Sequence, residues 1–229
     1  MTQKIRIAID GPAASGKSTT ARLLAQKLGY LYIDTGAMYR AATLSVLRAG
    51  IDVHDEQAVV DHVRNIKISL KIVDGIQRTF LNDEDVSDQI RTPQINQIIS
   101  VISSYPGVRE VLIEQQRELA KEGGVVMDGR DIGTVVLPDA ELKVFLVASI
   151  KERARRRQLD LERQGIKMDL KAIEQEIKQR DKLDSSRAQS PLKKADDARE
   201  LDTTNLTIKE QVEIIYRWAL EKIEKGAAK

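Results

Sequence analysis

Gly11-Pro12-Ala13-Ala14-Ser15-Gly16-Lys17-Ser18 is the stretch whose reading decides the fold. It fits the pattern G-x-x-x-x-G-K-[ST], in the context that pattern requires. Upstream, Ile5-Arg6-Ile7-Ala8-Ile9 is β-branched and weakly alternating, which predicts a strand. Downstream, Lys17 to Leu28 carries Ala21, Leu24, Ala25 and Leu28 at helical spacing, and Gly29 follows in the position of a helix C-terminus. Strand, glycine-rich turn and helix in that order make an anion cradle. Glycines let the backbone curl so that N–H groups converge on a phosphate, and the helix N-terminus adds its positive dipole end. Lys17 supplies a point charge for the transferring phosphate, and the Ser18 hydroxyl can ligate Mg²⁺. Nucleotide binding through Gly11 to Thr19 is therefore expected. The motif alone does not separate a kinase from a switch or an ATPase.

The rest of the chain extends the same architecture. Tyr30 to Ile33 reads as a second short strand, and Tyr39 to Ala49 as a helix ended by Gly50. Ile66, Ile68, Leu70 and Ile72 alternate with polar residues, Asp74-Gly75 follows as a hairpin signal, and a return strand is expected near Gln77–Leu81. This is the one locally antiparallel signal in the chain, so it reads as part of an insertion. Val108 to Ala120 is helical by pattern. Val125-Val126-Met127 and Lys143 to Val147 suit buried parallel strands. Ser149-Ile150-Lys151-Glu152 and Thr207-Ile208-Lys209-Glu210 read as capping boxes, Asp169 as another helix cap, and Glu200-Leu201-Asp202 as a weak last strand. Strands separated by helices imply an α/β fold, a parallel sheet with helices on both faces.

Composition narrows the function classes. The 229 residues contain no cysteine, which excludes disulfides, thiolate metal sites and a cysteine nucleophile. Basic and acidic side chains number 37 and 35, so the net charge is only +2 and no general nucleic-acid coat is indicated. Two Phe, five Tyr and one Trp leave little for a base-stacking platform. No apolar run is long enough to span a bilayer. Lys4, Arg6 and Asp10 interrupt the stretch a signal peptide would need, so a cytoplasmic protein without membrane or nucleic-acid partners is expected.

Two further segments fall at the carboxyl ends of predicted strands, where ligands bind in open parallel sheets. In Asp34-Thr35-Gly36-Ala37-Met38-Tyr39-Arg40, Thr35 and Arg40 can hold an anionic acceptor; taken alone, the segment reads rather as an ordinary turn with Arg40 at the surface. In Asp128-Gly129-Arg130-Asp131, Asp128 stands where such enzymes hold their metal, usually through water, and Arg130 can grip phosphate bidentately. The competing reading is a charged turn with an internal ion pair. Arginines then concentrate at Arg153, Arg155, Arg156, Arg157 and Arg163. Arg180, Asp184 and Arg187 share a helix face by spacing. Charge runs are usually solvated faces, but phosphoryl transfer needs cations around the equatorial oxygens and water kept out. Two helices joined near Gly165 would make a closing lid. His54 and His62 lie away from every motif and read as surface or structural residues.

In this order, Asp10-Gly11-Pro12, the Asp34–Arg40 segment, Gly129-Arg130-Asp131-Ile132-Gly133-Thr134-Val135-Val136, and Arg180-Asp181 with Asp184 and Arg187 resemble the bacterial cytidylate kinases, a family of nucleoside monophosphate kinases within the P-loop kinases. The resemblance spans nearly the whole chain. It implies a five-stranded parallel core formed by 1–34, 106–152 and 188–229, a monophosphate-binding domain at 35–105 with a small antiparallel sheet, and a lid with its flanking helix at 153–187. It implies transfer of the γ-phosphoryl group of ATP to CMP or dCMP, giving CDP or dCDP and ADP, with Mg²⁺, by a monomeric enzyme of pyrimidine nucleotide metabolism. Carried over by position, Thr35, Arg40, Arg130 and Arg187 would hold the acceptor phosphate, Arg180 and Asp184 the ribose, and Ser100, Arg109 and Asp131 the cytosine. Lys17, Arg130, Arg187, Arg157 and Asp128 would serve the transfer itself. The family often has serine where Thr35 stands, and a hydroxyl survives the exchange.

The base assignment has its own chemical sense. Cytosine presents an exocyclic amine, from which a carboxylate accepts well. Uracil presents a carbonyl there, leaving the Asp131 carboxylate unpaired. No catalytic base is needed, since the acceptor is already an oxyanion. Three other readings compete, of which RNA or DNA binding through 153–163 lacks aromatic partners for the bases. Another small-molecule P-loop kinase would share the loop and lid, but the insertion and Asp131 count against it. A nucleotide switch would need a guanine-specifying N-K-x-D segment, which the sequence lacks, and would not need a second arginine cluster.

Overall fold

The computed structural model describes residues 4–73, 76–163, 165–187 and 189–227. The chain divides into two compact units, one of residues 1–32 and 122–229, the other of residues 33–121. Strand β1 (Arg6–Asp10) pairs parallel with both β6 (Val125–Gly129) and β7 (Leu142–Val147), and β7 pairs parallel with β8 (Arg199–Asp202). With β2 (Leu31–Asp34) the sheet has five strands in the order β2-β6-β1-β7-β8. β1 is central and flanked on both sides, so its middle is wholly inaccessible: Ile7, Ala8 and Ile9 are 0% exposed. That is why the strand reads as a nearly continuous apolar run rather than a clean alternation.

Helix α1 (Lys17–Leu28) covers one face through Ala21, Leu24 and Ala25. It packs with α8 (Ile208–Ala227), whose Ile215 and Ala219 enter the same core as Ile7, Ile9, Val126 and Leu146. The capping box before α8 is complete. The Glu210 N–H donates to Thr207 Oγ1, while the Thr207 N–H donates back to the Glu210 carboxylate. The expected box at Ser149 is only half made. The Glu152 N–H reaches Ser149 Oγ, but the Ser149 N–H donates to Thr204, and the Glu152 carboxylate is taken by Arg155 and Arg156. Three charge-assisted bonds from the two guanidinium groups outcompete one to a neutral amide. Helices α6 (Ile150–Arg163) and α7 (Leu170–Ser186) form a hairpin with its own small core, Ala154, Leu161, Ile173 and Ile177. Asp169 caps α7 as its position predicts, accepting from the Lys171 and Ala172 N–H groups.

In the second unit, α2 (Thr35–Arg48) begins four residues before the pattern suggested. The Asp34 carboxylate caps it by accepting the Ala37 N–H at 2.9 Å. Strands β3 (Ile68–Val73) and β4 (Ile76–Leu81) pair antiparallel, and β5 (Glu84–Asp85) adds a third strand. The expected Asp74-Gly75 turn lies outside the described residues. Two helices went unread in the sequence, α3 (Glu56–Val63) and α4 (Pro93–Ile102). Both carried start signals: Asp55 caps α3, and Thr92 followed by Pro93 caps α4, which buries Ile95, Ile99 and Ile102. Helix α5 (Pro106–Ala120), placed with the core in the domain expectation, falls within this unit. His62 Nε2 lies 2.6 Å from Ser45 Oγ, a structural pairing, and His54 is exposed.

Candidate active site

The loop between β1 and α1 is shaped by close approach. A Cβ on Gly11 would lie 2.4 Å from the Leu146 carbonyl oxygen, so only glycine passes there. Gly16, at φ +92°, turns the chain into α1. Ala14 also adopts a left-handed φ of +58°, an uncommon strain for a residue with a side chain. Pro12, Ala14 and Gly16 are half-buried and Ala13 and Ser15 buried, whereas Ser18 and Thr19 are exposed at the start of the helix. The Ser15 hydroxyl is buried without a hydrogen-bond partner among the described residues.

Lys17 is buried, and its ammonium donates to the Pro12 carbonyl at 3.2 Å. Burial, with Arg130 and then Arg180 adding repulsion against the pull of Asp128 and Asp184, lowers its pKa to about 7. An anion placed against such a lysine would return it to the charged form. Beside it, Ser18 Oγ donates to Asp128 Oδ2 at 2.7 Å, and the Tyr32 hydroxyl donates to Asp128 Oδ1 at 2.8 Å. Asp128 belongs to β6 itself and is 3% exposed, so it is no surface turn. A serine oxygen and an aspartate oxygen side by side at the loop are hard donors that suit Mg²⁺. Among the described residues no group of three or more His, Asp or Glu side chains could hold a metal ion.

Past β6, Arg130 and Arg187 meet over one carboxylate. Arg130 Nε donates to Asp184 Oδ2 at 2.8 Å, and Arg187 Nη2 donates to Asp184 Oδ1 at 2.7 Å. Burial works to raise the Asp184 carboxyl, but Arg130, Arg187 and Arg180 outweigh it and hold it below the ordinary range. Arg180 is an exposed residue of α7, whereas Arg187 stands one residue beyond the helix in extended conformation, not on the helical face its spacing suggested. Asp131 is 6% exposed, next to Arg130.

The arginine cluster divides in a way spacing did not show. Arg153 is 4% exposed and donates to the Ala148 and Ala13 carbonyls, with an ion pair to Asp181 at 2.7 Å. Arg156 donates to the Ser15 carbonyl, to Thr203 and to Glu152. These two brace the phosphate loop from behind. Arg155 and Arg163 make exposed pairs with Glu152 and Asp160. Arg157 is half-buried and makes no hydrogen bond or ion pair among the described residues.

In the second unit, Thr35 is buried in the first turn of α2, and Arg40 folds back over that turn, its Nη1 about 3.0 Å from where a Gly36 Cβ would stand. Ser100 is exposed on α4. Arg109, on α5, is 4% exposed, donates to the Ser103 carbonyl and lies 5.6 Å from the Tyr39 ring centroid. Tyr32, Thr203 and Gln211 are site residues that sequence reasoning missed. Gln211 accepts from Thr20 Oγ1 at 2.8 Å, and Thr203 Oγ1 donates to the Ser15 carbonyl. Tyr32 carried a usable signal, its place near the end of a predicted strand; Thr203 and Gln211 had none.

The family model described as cytidylate kinase matches residues 7–221. Proteins named cytidylate kinase from Bacillus thuringiensis (strain Al Hakam) and Bacillus cereus (strain AH187) are each 53% identical over 215 residues, covering 94% of this chain and 96% of theirs. Among solved structures, shikimate kinase from Acinetobacter baumannii aligns with 100% of this chain and 97% of its own at 14% identity and a TM-score of 0.47, a likeness too distant to weigh on the assignment.

Proposed function

The chain belongs to the cytidylate kinase family, and we propose that it transfers the γ-phosphoryl group of ATP to CMP or dCMP. The observation that chiefly supports this is the cation set of the first unit. Lys17 sits in the loop with a pKa lowered to about 7, and Arg130 and Arg187 are held on Asp184. A dianionic acceptor and a triphosphate together need such a set, because their mutual repulsion must be offset before an oxygen can attack phosphorus.

In this mechanism the loop amides and Lys17 hold the donor phosphates. Ser18, with Asp128 acting through water, would hold Mg²⁺, which when bound neutralises charge on the β- and γ-phosphates. Thr35, Arg40, Arg130 and Arg187 receive the acceptor phosphate. Asp184 keeps Arg130 and Arg187 at a fixed spread and, with Arg180, takes the ribose. Ser100, Arg109 and Asp131 read cytosine, with Asp131 accepting from the exocyclic amine. Arg157 joins the transferring phosphate when the α6–α7 hairpin closes as a lid, and water is then excluded. Residues 35–105 form the monophosphate-binding part in this scheme. The enzyme is taken as a monomeric, cytoplasmic protein without nucleic-acid or membrane partners. Among the described residues no helix is long and apolar enough to cross a membrane.

A coupled assay of ADP release from Mg-ATP, run with CMP, dCMP, UMP, AMP, GMP and no acceptor, tests this. Fast turnover with CMP and dCMP, slower with UMP and none otherwise is expected. Asp131→Ala should damage CMP use more than UMP use, by about 1–3 kcal/mol of discrimination. Equal losses on both would remove the base-reading role from Asp131.

A further inference from the structure

Tyr32 lies in β2, and no step above uses it. The residue is 8% exposed and belongs to the same core cluster as Ile5, Leu24 and Val126. At the far end of its ring the hydroxyl donates to Asp128 Oδ1 at 2.8 Å. A phenolic oxygen lies on the axis about which the ring flips, so a packed ring holds its hydroxyl at one point. Tyrosine suits that task, having an apolar body and a single polar tip.

The two oxygens of Asp128 serve different donors. Oδ1 takes the Tyr32 hydrogen, and Oδ2 takes the hydrogen of Ser18 Oγ at 2.7 Å. The consequence falls on Ser18. A hydroxyl has one hydrogen and two lone pairs, and only a lone pair can meet a cation. As long as Oδ2 holds the Ser18 hydrogen, the lone pairs of that exposed serine point elsewhere. A carboxylate turns readily about its Cβ–Cγ bond, because that torsion is broad and soft. Lys17 supplies a pull for such a turn, since its ammonium and the Asp128 carboxylate attract one another. A hydrogen bond at each oxygen fixes the plane against it.

We propose that Tyr32 is a positioning residue for the metal site: its hydroxyl anchors Asp128 so that Oδ2 keeps the Ser18 hydrogen and Ser18 presents a lone pair to Mg²⁺. Groups that orient metal ligands commonly carry this duty, and their loss costs about 10–100-fold in metal affinity. The proposal rests on the Ser18 and Asp128 roles assigned above. It needs no contact between Tyr32 and the ion. Tyr32→Phe tests it, because the ring stays in its core cluster and only the hydroxyl goes.

Mn²⁺ serves as the probe. The EPR signal of the free ion reads its binding to the protein's complex with a non-hydrolysable ATP analogue, without acceptor or turnover. In Tyr32→Phe the Mn²⁺ affinity of that complex should fall about tenfold or more, while the analogue's affinity in EDTA stays within about twofold of wild type. Ser18→Ala should also lose Mn²⁺ affinity, and adding Tyr32→Phe to it should cost no more than about twofold further, since the hydroxyl acts through that serine. A purely structural role predicts a lower melting temperature with Mn²⁺ affinity unchanged, and that result overturns the proposal. Equal losses from Tyr32→Phe in the wild-type and Ser18→Ala backgrounds overturn it as well, because the effect then does not pass through Ser18. Wild-type Mn²⁺ affinity in Ser18→Ala would overturn the metal-site reading and this proposal together; a loss in Ser18→Ala with none in Tyr32→Phe overturns this one alone. If Tyr32→Phe does not fold, a ring-fluorinated tyrosine at position 32 takes its place, keeping the shape and changing the strength of the hydroxyl donor. A shift in Mn²⁺ affinity then supports the anchor, and an unchanged affinity refutes it.

Discussion

Binding a nucleotide should draw a proton onto Lys17. In the free protein its pKa is lowered to about 7, first by burial and then by Arg130, with Arg180 adding to it. A bound polyphosphate reverses the balance by placing several negative charges against the ammonium, which returns it to the charged form across the neutral range. At a free-state pKa of about 7, ~0.9 of the lysines are neutral at pH 8, about half at pH 7 and ~0.1 at pH 6. Nucleotide binding should therefore take up most of a proton at pH 8 and almost none at pH 6. Titration calorimetry with ATP at pH 8, in buffers of different ionisation enthalpy, reads this directly: the observed heat changes with buffer in proportion to the protons taken up. Lys17→Met, measured at nucleotide concentrations that saturate it, should lose the buffer dependence. Heats at pH 8 that do not depend on buffer, or the same uptake in Lys17→Met, would refute the account of Lys17 as a buried lysine that a bound anion recharges. The same shift has a stability sign. A lysine whose folded pKa is lowered binds fewer protons in the folded state than in the unfolded one between about 7 and 10.5. Its contribution to folding stability thus rises with pH across that window and is least favourable below it.

Asp128→Asn should raise the Mg²⁺ needed for half-maximal activity by about 10–100-fold, read from a Mg²⁺ titration at saturating ATP. Arg156→Ala removes the guanidinium that bridges the Ser15 carbonyl and Thr203. It should cost about 1–3 kcal/mol in denaturant melts and raise KM for ATP, with KM for CMP much less affected. Gly11→Ala drives a methyl group to 2.4 Å from the Leu146 carbonyl. It should cost about 1–3 kcal/mol or prevent folding, and nucleotide binding should fall with it; an alanine variant of wild-type stability would contradict the close approach.

Legibility followed the range of the interactions. The phosphate loop, its strand and its helix were readable because a continuous stretch carries them, and glycine, lysine and serine at those positions have local reasons to be there. The parallel order of elements followed from alternating strand and helix patterns, and the Thr207 box and the Asp169 cap were read from neighbouring residues. Helices α3 and α4 are also locally encoded, by the Asp55 cap and by Thr92 with Pro93. What only the folded chain decided lies between residues far apart in sequence. Arg153 and Arg156 read as part of one lid cluster with Arg157, yet 140 residues of separation bring the first to the Ala13 carbonyl and 141 bring the second to the Ser15 carbonyl. No periodicity encodes that. Ser18 and Asp128 were each assigned to metal from their own motifs, but their contact at 2.7 Å is a product of β1 and β6 lying side by side. Asp10 is the clearest division. The sequence places an acidic residue before a glycine-rich turn and nothing more. Parallel pairing of its strand with β6 brings it beneath the Ile132 and Gly133 amides, 122 and 123 residues away, and both donate to its side chain. Local chemistry thus determined which groups this protein carries, and tertiary pairing decided which of them are spent on holding the site and which are left to act, because a buried polar group must find its partner wherever the fold supplies one.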